Sequence, residues 1–504
     1  VAGERSVFPS RYTVGLIVVL GAVLLVALAP RQDTDLWWHL KDGAYIWAHH
    51  SVPTADFYTF TFAGHAWVDH EWLSELLLYG AYTLGGHWGP IVLFALIICG
   101  TFGLVYARMV TFGVNRILAL FVLAAAFVAS SPTWGARPQM LTLFFLAVYG
   151  VLVERYLQSR DRRFLYALPP LMIVWTNLHG GWVLGFVLLV VTLVGEVANR
   201  AFGAENPLAP TELRALAAAT GFTLVATFLN PNGAAEVLYP LVWIIPTPYA
   251  NVLNEWVSPD FHQPAFMVFD AMLLALIAAL FVSRARVNWT HLLIAVIFTH
   301  LALSESRNVA VWSIVVSPVL ALAVQKAIDT IRPESGAVQL GRGGVPLRTQ
   351  RILNWALLLL VLLLYPVEAS KFIGGNALTR DERTQFPQGA TAYLERHVLP
   401  RNTFANYAWG GYLIWRLYPR YRDFIDGRAN TLFNVPLLND YLTASGAGGG
   451  WQGVLDRHHV STVMISPGSP LSEVLTENRG WRVVYHDVTS VIFVRQPRLR
   501  ERTP

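Results

Sequence analysis

The sequence predicts an all-α polytopic membrane domain of about eleven transmembrane helices, followed by a small C-terminal extracytoplasmic α/β domain. Three observations predict it. Only 14% of the 504 residues are charged while 54% are hydrophobic, against about 25% charged in a typical soluble domain, and the mean hydropathy is +0.45. Apolar runs long enough to cross about 30 Å of hydrocarbon recur along the first three quarters of the chain. After Ser370 the composition changes abruptly to short apolar runs, many turn residues and sixteen basic residues.

The expected spans are 12–29, 89–108, 117–132, 138–154, 164–177, 182–199, 213–229, 266–283, 291–304, 309–325 and 352–368. The segment 71–85 is either a further span or a half-buried surface helix. Ala27-Leu28-Ala29 has the small-residue spacing of a signal-peptide cleavage site. The apolar stretch before it is longer than a typical h-region, and Pro30 would follow the cut, so the first span reads as retained. An N-inside assignment collects seventeen Arg and Lys on inner segments and leaves only Arg31, Lys41, Arg137 and Arg307 on outer loops before the tail. Cytoplasmic loops carry that excess, so the first outer loop and the tail are both expected outside the cytoplasm. The net charge of +5 is therefore a topology signal at the ends of apolar runs and not a nucleic-acid footprint. A lone cysteine, Cys99, lies inside an apolar run, which leaves no disulfide framework to read. In the tail, 461–466, 481–485 and 490–494 read as strands, and 388–398, 436–444, 451–458 and 470–478 suit short helices. The domains are then 1–370, a transmembrane domain with its first outer loop at 31–88, and 371–504, the extracytoplasmic α/β domain.

Residues 31–72 carry the densest polar and aromatic chemistry in the chain. A helix over 35–49 puts Asp35, Trp38, His39 and Asp42 on one face by their three- and four-residue spacing, with Trp37 and Lys41 elsewhere. Its aromatic density places it at the outer membrane surface, with Trp37, Trp38 and Trp47 at headgroup level. Asp69, His70 and Glu71 lie between Trp67 and Trp72 as a second acidic and aromatic knot. Interface aromatics and solvated loop acids are the alternative reading of both.

Asp35-Leu36-Trp37-Trp38-His39-Leu40-Lys41, directly after the first span, resembles the first-loop motif D-x-[WY]-[WYF]-[HN]-x-[KR] of the C-type (GT-C) glycosyltransferase superfamily. The likeness is nearest to catalytic subunits of archaeal and bacterial oligosaccharyltransferases. A Pro-Thr-Ala-Asp-Phe turn follows at 53–57. Trp175–Gly181 (WTNLHGG), Ala136–Gln139 (ARPQ) and Asn230–Gly233 (NPNG) are similar to segments of bacterial GT-C-like membrane proteins. Tyr407-Ala408-Trp409-Gly410-Gly411-Tyr412 resembles the acceptor-reading WWDYG motif, and Phe424-Ile425-Asp426-Gly427-Arg428 follows in a similar place. Two departures stand out. The second Trp and the Asp of WWDYG are replaced by Gly410-Gly411, and the loop 132–137 has no D-x-D metal motif, leaving only Asp69-His70-Glu71 for that part.

The resemblance implies transfer of a sugar, with inversion, from a polyprenyl-phosphate-type lipid donor to a protein, glycan or lipid acceptor on the outer face of the membrane. An acceptor hydroxyl or amide needs a carboxylate to take its proton; Asp35 is the expected base and Asp33 the fallback. The leaving phosphate needs positive charge, from a divalent metal such as magnesium or manganese or from basic side chains. Arg137 and Arg307, at outer span ends, suit a lipid phosphate; snorkelling, or pairing of Arg307 with Glu305, accounts for them equally. His39, Asp69, His70, Glu71, His179, Trp409 and Tyr412 complete the expected substrate contacts, with helix capping as the alternative at His179. A catalytically inactive GT-C-like scaffold subunit is the second reading, and a lipid or solute transporter the third. A transporter should show inverted repeats, and none is evident.

Overall fold

The computed structural model describes residues 10–29, 33–244, 254–283, 286–331, 347–373 and 382–496. The chain forms two compact units: residues 1–29, 91–240 and 253–374 in one, and residues 30–90, 241–252 and 375–504 in the other. The first outer loop thus clusters with the C-terminal residues.

In the membrane unit, seven helices among the described residues are long and apolar enough to cross a bilayer: Arg11–Leu28, Trp88–Thr111, the helical stretch Arg116–Thr133, Gln139–Ser159, Trp182–Ala201, Pro264–Val282 and Thr349–Lys371. All seven coincide with expected spans. The other four expected spans are shorter or broken, each for a visible reason. The 164–177 segment splits into Arg163–Tyr166 and Leu168–Thr176, where Pro169 and Pro170 remove two backbone donors. Asn308–Val315 and Ser317–Ile331 meet at a bend of 48°; Pro318 cannot donate back into the preceding turn. Pro210–Ala226 carries Glu212 and Arg214 in its first turns, and Trp289–Ser304 has only 16 residues. Close helix contact is made through small residues: at Gly21 an added Cβ would lie 1.8 Å from the ring of Tyr365, whose hydroxyl donates to the Val18 carbonyl at 2.8 Å. Arg108, one of the inner-side charges in the topology count, is buried and donates to the Val315 carbonyl at 3.1 Å.

In the second unit, five strands form one sheet: β1 Asn402–Ala405, β2 Arg422–Asp423, β3 Thr462–Ile465, β4 Trp481–His486 and β5 Val491–Arg495, in the order β2-β1-β3-β5-β4. β1 runs parallel to both β2 and β3, and β5 pairs antiparallel with β3 and β4. The buried residues of β3 and β5 are mostly β-branched, as a covered strand requires. Asp487 closes the β4–β5 turn by accepting from the backbone N–H groups of Thr489 and Ser490. The expected strands and short helices of the tail all form; the sequence reading lacked β1, β2 and the Gly410–Leu417 helix between them.

The first outer loop builds the second unit from the other side. Its first helix, Leu36–His49, packs against a second, Trp72–Gly85, with Gly43 directly on the Glu75 carbonyl. Residues 59–61 lie along the edge of β2: Phe60 N–H donates to the Asp423 carbonyl at 3.1 Å and the Thr61 hydroxyl to the Phe424 carbonyl at 2.6 Å. An exposed edge strand is thereby covered. Trp38, Tyr58, Trp67 and Ile414 form a shared core. This corrects the headgroup placement of two tryptophans. Trp37 is 1% and Trp38 5% exposed, and Trp37 packs edge-on against Phe386 and Tyr412. Only Trp47 is exposed. The aromatic density of this helix serves a protein core.

Candidate functional site

Asp35 stands at the N-terminal boundary of the Leu36–His49 helix and is half-buried. Its backbone N–H donates to Asp33 Oδ1 at 2.9 Å, so Asp33 shapes the turn that presents Asp35. The Asp35 carboxylate lies against Gly427: a Cβ added there would be 1.9 Å from Asp35 Oδ1. Earlier in the C-terminal domain, in the Gly410–Leu417 helix, a Cβ at Gly411 would be 2.8 Å from the Thr34 carbonyl. Of the Gly410-Gly411 pair that departs from the acceptor motif, Gly411 thus lets the first loop approach closely, while Gly410 makes room for Asp426 and Asp423.

Below Asp35 in the same helix, His39 sits between two carboxylates, with Nε2 3.5 Å from Glu71 and Nδ1 3.3 Å from Glu75. Glu71 also faces His70 at 3.5 Å. Asp42 accepts the Tyr58 hydroxyl at 2.5 Å, and Asp69 accepts the Glu71 backbone N–H at 3.2 Å. Burial of so many acids favours their neutral forms. Burial pushes Asp42 and Glu75 well above the usual carboxylate range, and the charge of Asp69 pushes each further. Burial also raises Asp69, to about 6, against the opposing pull of His70.

Arg428 balances this acidity from the C-terminal domain. It is buried, with Nη2 2.8 Å from Asp56 and 2.7 Å from Asp426 and Nε donating to Asp426 at 2.9 Å. Its guanidinium lies over the rings of Trp67 and Tyr58, at 4.9 and 5.1 Å, a cation–π arrangement suited to a desolvated arginine. Two motif segments picked out in the sequence, 53–57 and 424–428, are therefore joined by a buried ion pair.

In the membrane unit, Arg137 pairs with Glu255. Arg307 donates through Nε to Glu305 at 2.7 Å and through its backbone N–H to the Glu255 carbonyl at 3.2 Å, and lies 4.2 Å over Trp256. Both arginines thus meet the short Asn254–Trp256 turn. The expected Arg307–Glu305 pair is present beside that role. At His179, the Gly181 backbone N–H donates to Nδ1 at 2.8 Å, so Nδ1 is an acceptor and the proton sits on Nε2. The Thr142 hydroxyl then donates to the same Nδ1 at 2.8 Å while accepting from Trp175 Nε1 at 3.2 Å. This relay fixes the ring and its tautomer; His179 is held by side chain and backbone together.

No family model matches the sequence, and no curated protein matches it either. Solved structures do. An oligosaccharyltransferase of Archaeoglobus fulgidus, solved with a tethered acceptor peptide, aligns over 96% of this chain and 74% of its own, at 13% identity and a TM-score of 0.51. The archaeal oligosaccharyltransferase AglB of the same organism, solved with an inhibitory peptide and a dolichol-phosphate, aligns over 90% of this chain and 69% of its own, at 11% identity and a TM-score of 0.53. The fold is GT-C-like. ArnT of Cupriavidus metallidurans, solved with undecaprenyl phosphate, aligns over 95% of this chain and 97% of its own, at 14% identity and a TM-score of 0.47.

Against that GT-C-like fold, the expected site residues divide. In the second unit Asp33 and Asp35 share one turn and His39, Asp69, His70 and Glu71 form a separate cluster, while Arg137, Arg307 and His179 lie in the membrane unit. Trp409 and Tyr412 depart from the expected acceptor contact. Trp409 is buried and donates through Nε1 to the Gln385 carbonyl at 2.9 Å. Tyr412 is fully buried, stacked on Phe386 and bonded to Arg416. Both are turned into the domain core. Among the described residues, no group of three or more His, Cys, Asp or Glu side chains is arranged to hold a metal ion; Asp69, His70 and Glu71 are engaged with their neighbours around His39. The sequence reading missed the roles of Asp56, Glu75, Asp426 and Arg428. Glu75 had a signal, as a lone second acid four residues after Glu71 in an otherwise apolar helix.

Proposed function

We propose that the protein is an inverting glycosyltransferase that moves a sugar from a polyprenyl-phosphate-type donor to an acceptor on the non-cytoplasmic face of the membrane. The observation that carries the reading is Asp35: a half-buried carboxylate at a helix start directly after the first span, set against the C-terminal domain in a GT-C-like fold. The dolichol-phosphate bound by the archaeal enzyme of similar fold supports a lipid phosphate as donor. In the reaction the acceptor oxygen or nitrogen attacks the anomeric carbon as its bond to the phosphate oxygen breaks. Asp35 takes the acceptor proton, with Asp33 shaping the turn behind it. The departing phosphate needs positive charge; Arg137 and Arg307 are the membrane unit's candidates for a lipid phosphate, and His179 its candidate contact to the donor. His39, Asp69, His70 and Glu71 form the polar floor behind the base. A divalent metal would supply the same charge stabilisation as the arginines; no step here depends on one.

The burial of Trp409 and Tyr412 favours a second reading, a GT-C-like scaffold or binding subunit without turnover. One assay separates the two. Transfer of radiolabelled sugar from polyprenyl-phosphate donors is measured in membranes containing the protein. The transferase reading expects product dependent on Asp35; no product with any donor favours the scaffold.

A further inference from the structure

Two glycines of the C-terminal domain touch the turn that carries Asp35. At Gly427 a Cβ would meet Asp35 Oδ1 at 1.9 Å, Asp35 Cγ at 3.0 Å and Trp38 Nε1 at 3.4 Å. The backbone of Gly427 is not among the positive-φ positions. It is therefore glycine for space, and the space is filled by the carboxylate. At Gly411 the corresponding contacts are the Thr34 carbonyl at 2.8 Å and Trp38 Cδ1 at 3.2 Å, so the residue before Asp35 is braced as well.

Gly427 itself cannot drift. Asp426 Oδ1 accepts the backbone N–H of Arg428 at 3.0 Å and its Nε at 2.9 Å, and Asp426 Oδ2 accepts Nη2 at 2.7 Å. The three residues 426–428 are thus closed into a ring by one carboxylate and one guanidinium. Arg428 then reaches the first loop at Asp56, 2.8 Å away. Moving Gly427 away from Asp35 requires breaking a buried charge pair, which is strongly opposed.

We infer that Gly427 and Arg428 are positioning residues for Asp35: Arg428 anchors the 426–428 ring to the first loop, and Gly427 sets the rotamer of the carboxylate. The C-terminal domain then orients the proton acceptor. This rests on the reading of Asp35 as the base. Because misplacing a reacting group by about 1 Å costs on the order of 10²-fold, the effect should fall on turnover more than on donor binding.

The test compares full-length wild type, Gly427→Ala, Asp35→Ala and the double variant, by sugar transfer in membranes and by thermal melting in detergent. Gly427→Ala should lower kcat on the order of 10- to 100-fold with donor KM changed less than about twofold, and should lower Tm. The double variant should melt like Asp35→Ala, because the carboxylate struck by the new methyl is gone. If Gly427→Ala does not accumulate, recovery of folded protein on adding Asp35→Ala reports the same contact. Wild-type kcat in Gly427→Ala, or a Tm loss or failure to fold that persists in the double variant, overturns the inference. The base reading fails separately, if Asp35→Ala transfers sugar as well as wild type.

Discussion

Arg428 Nη2 and Asp56 Oδ1 lie 2.8 Å apart, both fully buried, although 372 residues separate them in the chain. This pair ties the loop after the first span to the domain after the last. Asp426 is a second carboxylate on the same guanidinium, which Trp67 and Tyr58 cover. Such a pair is a constraint on geometry more than a source of stability, since desolvation consumes much of the attraction. Its integrity nonetheless matters, because either partner left alone is an uncompensated buried charge.

Arg428→Leu is accordingly expected to destabilise the second unit by about 3–5 kcal/mol, and Asp56→Ala by a similar amount. The two changes should not add, since each breaks the same network. Thermal melting of the purified variants measures this. Full additivity in the Arg428→Leu/Asp56→Ala protein would mean that the two residues act independently.

The acids around His39 give stability an unusual pH dependence. Asp69 titrates at about 6 when folded, against about 3.9 in an unfolded chain. The folded state therefore keeps a proton that the unfolded state releases, and stability falls as pH rises from about 4 to about 6. Asp42 and Glu75 are displaced in the same direction and extend the fall upward. The protein should melt higher at about pH 5 than at about pH 7, and Asp69→Asn should flatten the lower part of that slope. A melting temperature that climbs over this interval, equally in both proteins, would show that these carboxylates are ionised when folded.

Much of this was legible in the sequence because it depends on local pattern. Seven spans follow from apolar length alone, and β3, β4 and β5 from short β-branched runs between turns. The first-loop helix follows from the spacing of Asp35, Trp38, His39 and Asp42. What was not legible is pairing at long range. Trp37 and Trp38 look like interfacial aromatics until Tyr412, Phe386 and Ile414 are known to cover them. β1 and β2 are only four and two residues long, and β2 gains its outer neighbour from residues 59–60 of the distant loop. Arg428 reads as one more surface arginine because nothing nearby in sequence announces Asp56. The Gly410-Gly411 pair reads as a motif lost, whereas the structure uses both glycines for close contacts with Asp426 and Thr34.

The Thr142–His179 relay predicts a distinction between two conservative changes. Thr142→Val removes the acceptor for the buried Trp175 N–H and the donor to His179, at a cost of about 1 kcal/mol. Thr142→Ser keeps both bonds and should melt close to wild type. Sugar transfer should follow the same order, because Val releases a bond that holds the His179 ring. Equal behaviour of Val and Ser in both measurements would leave the relay without consequence.

The proposed sidedness is open to direct labelling. His65 and Val488 are exposed in the second unit, which makes His65→Cys and Val488→Cys in a Cys99→Ala background suitable reporters. An impermeant thiol reagent applied to intact cells should modify both. Modification only after the cytoplasmic side is opened would invert the topology and take the proposed acceptor side with it.

Asp35→Asn should abolish sugar transfer while leaving the protein folded and inserted. Asn keeps the size of Asp and one acceptor oxygen, but it cannot take a proton at neutral pH. The packing of residue 35 against Gly427 is steric, so it survives the change and Tm should move little. General-base assistance is worth about 10²- to 10⁴-fold, and the loss should fall in that range. Asp33→Asn is the matched control. Asp33 Oδ1 accepts the Asp35 backbone N–H, a bond an Asn carbonyl oxygen also makes, so this variant should retain most activity if Asp33 only shapes the turn. A large loss in Asp33→Asn with activity kept in Asp35→Asn would exchange the two roles and make Asp33 the base. The measurement is transfer from a radiolabelled polyprenyl-phosphate sugar in native membranes at matched protein level, read across pH. A proton acceptor at residue 35 requires the wild-type rate to fall at low pH with the titration of one carboxylate. It also requires the residual rate of Asp35→Asn to lose that fall.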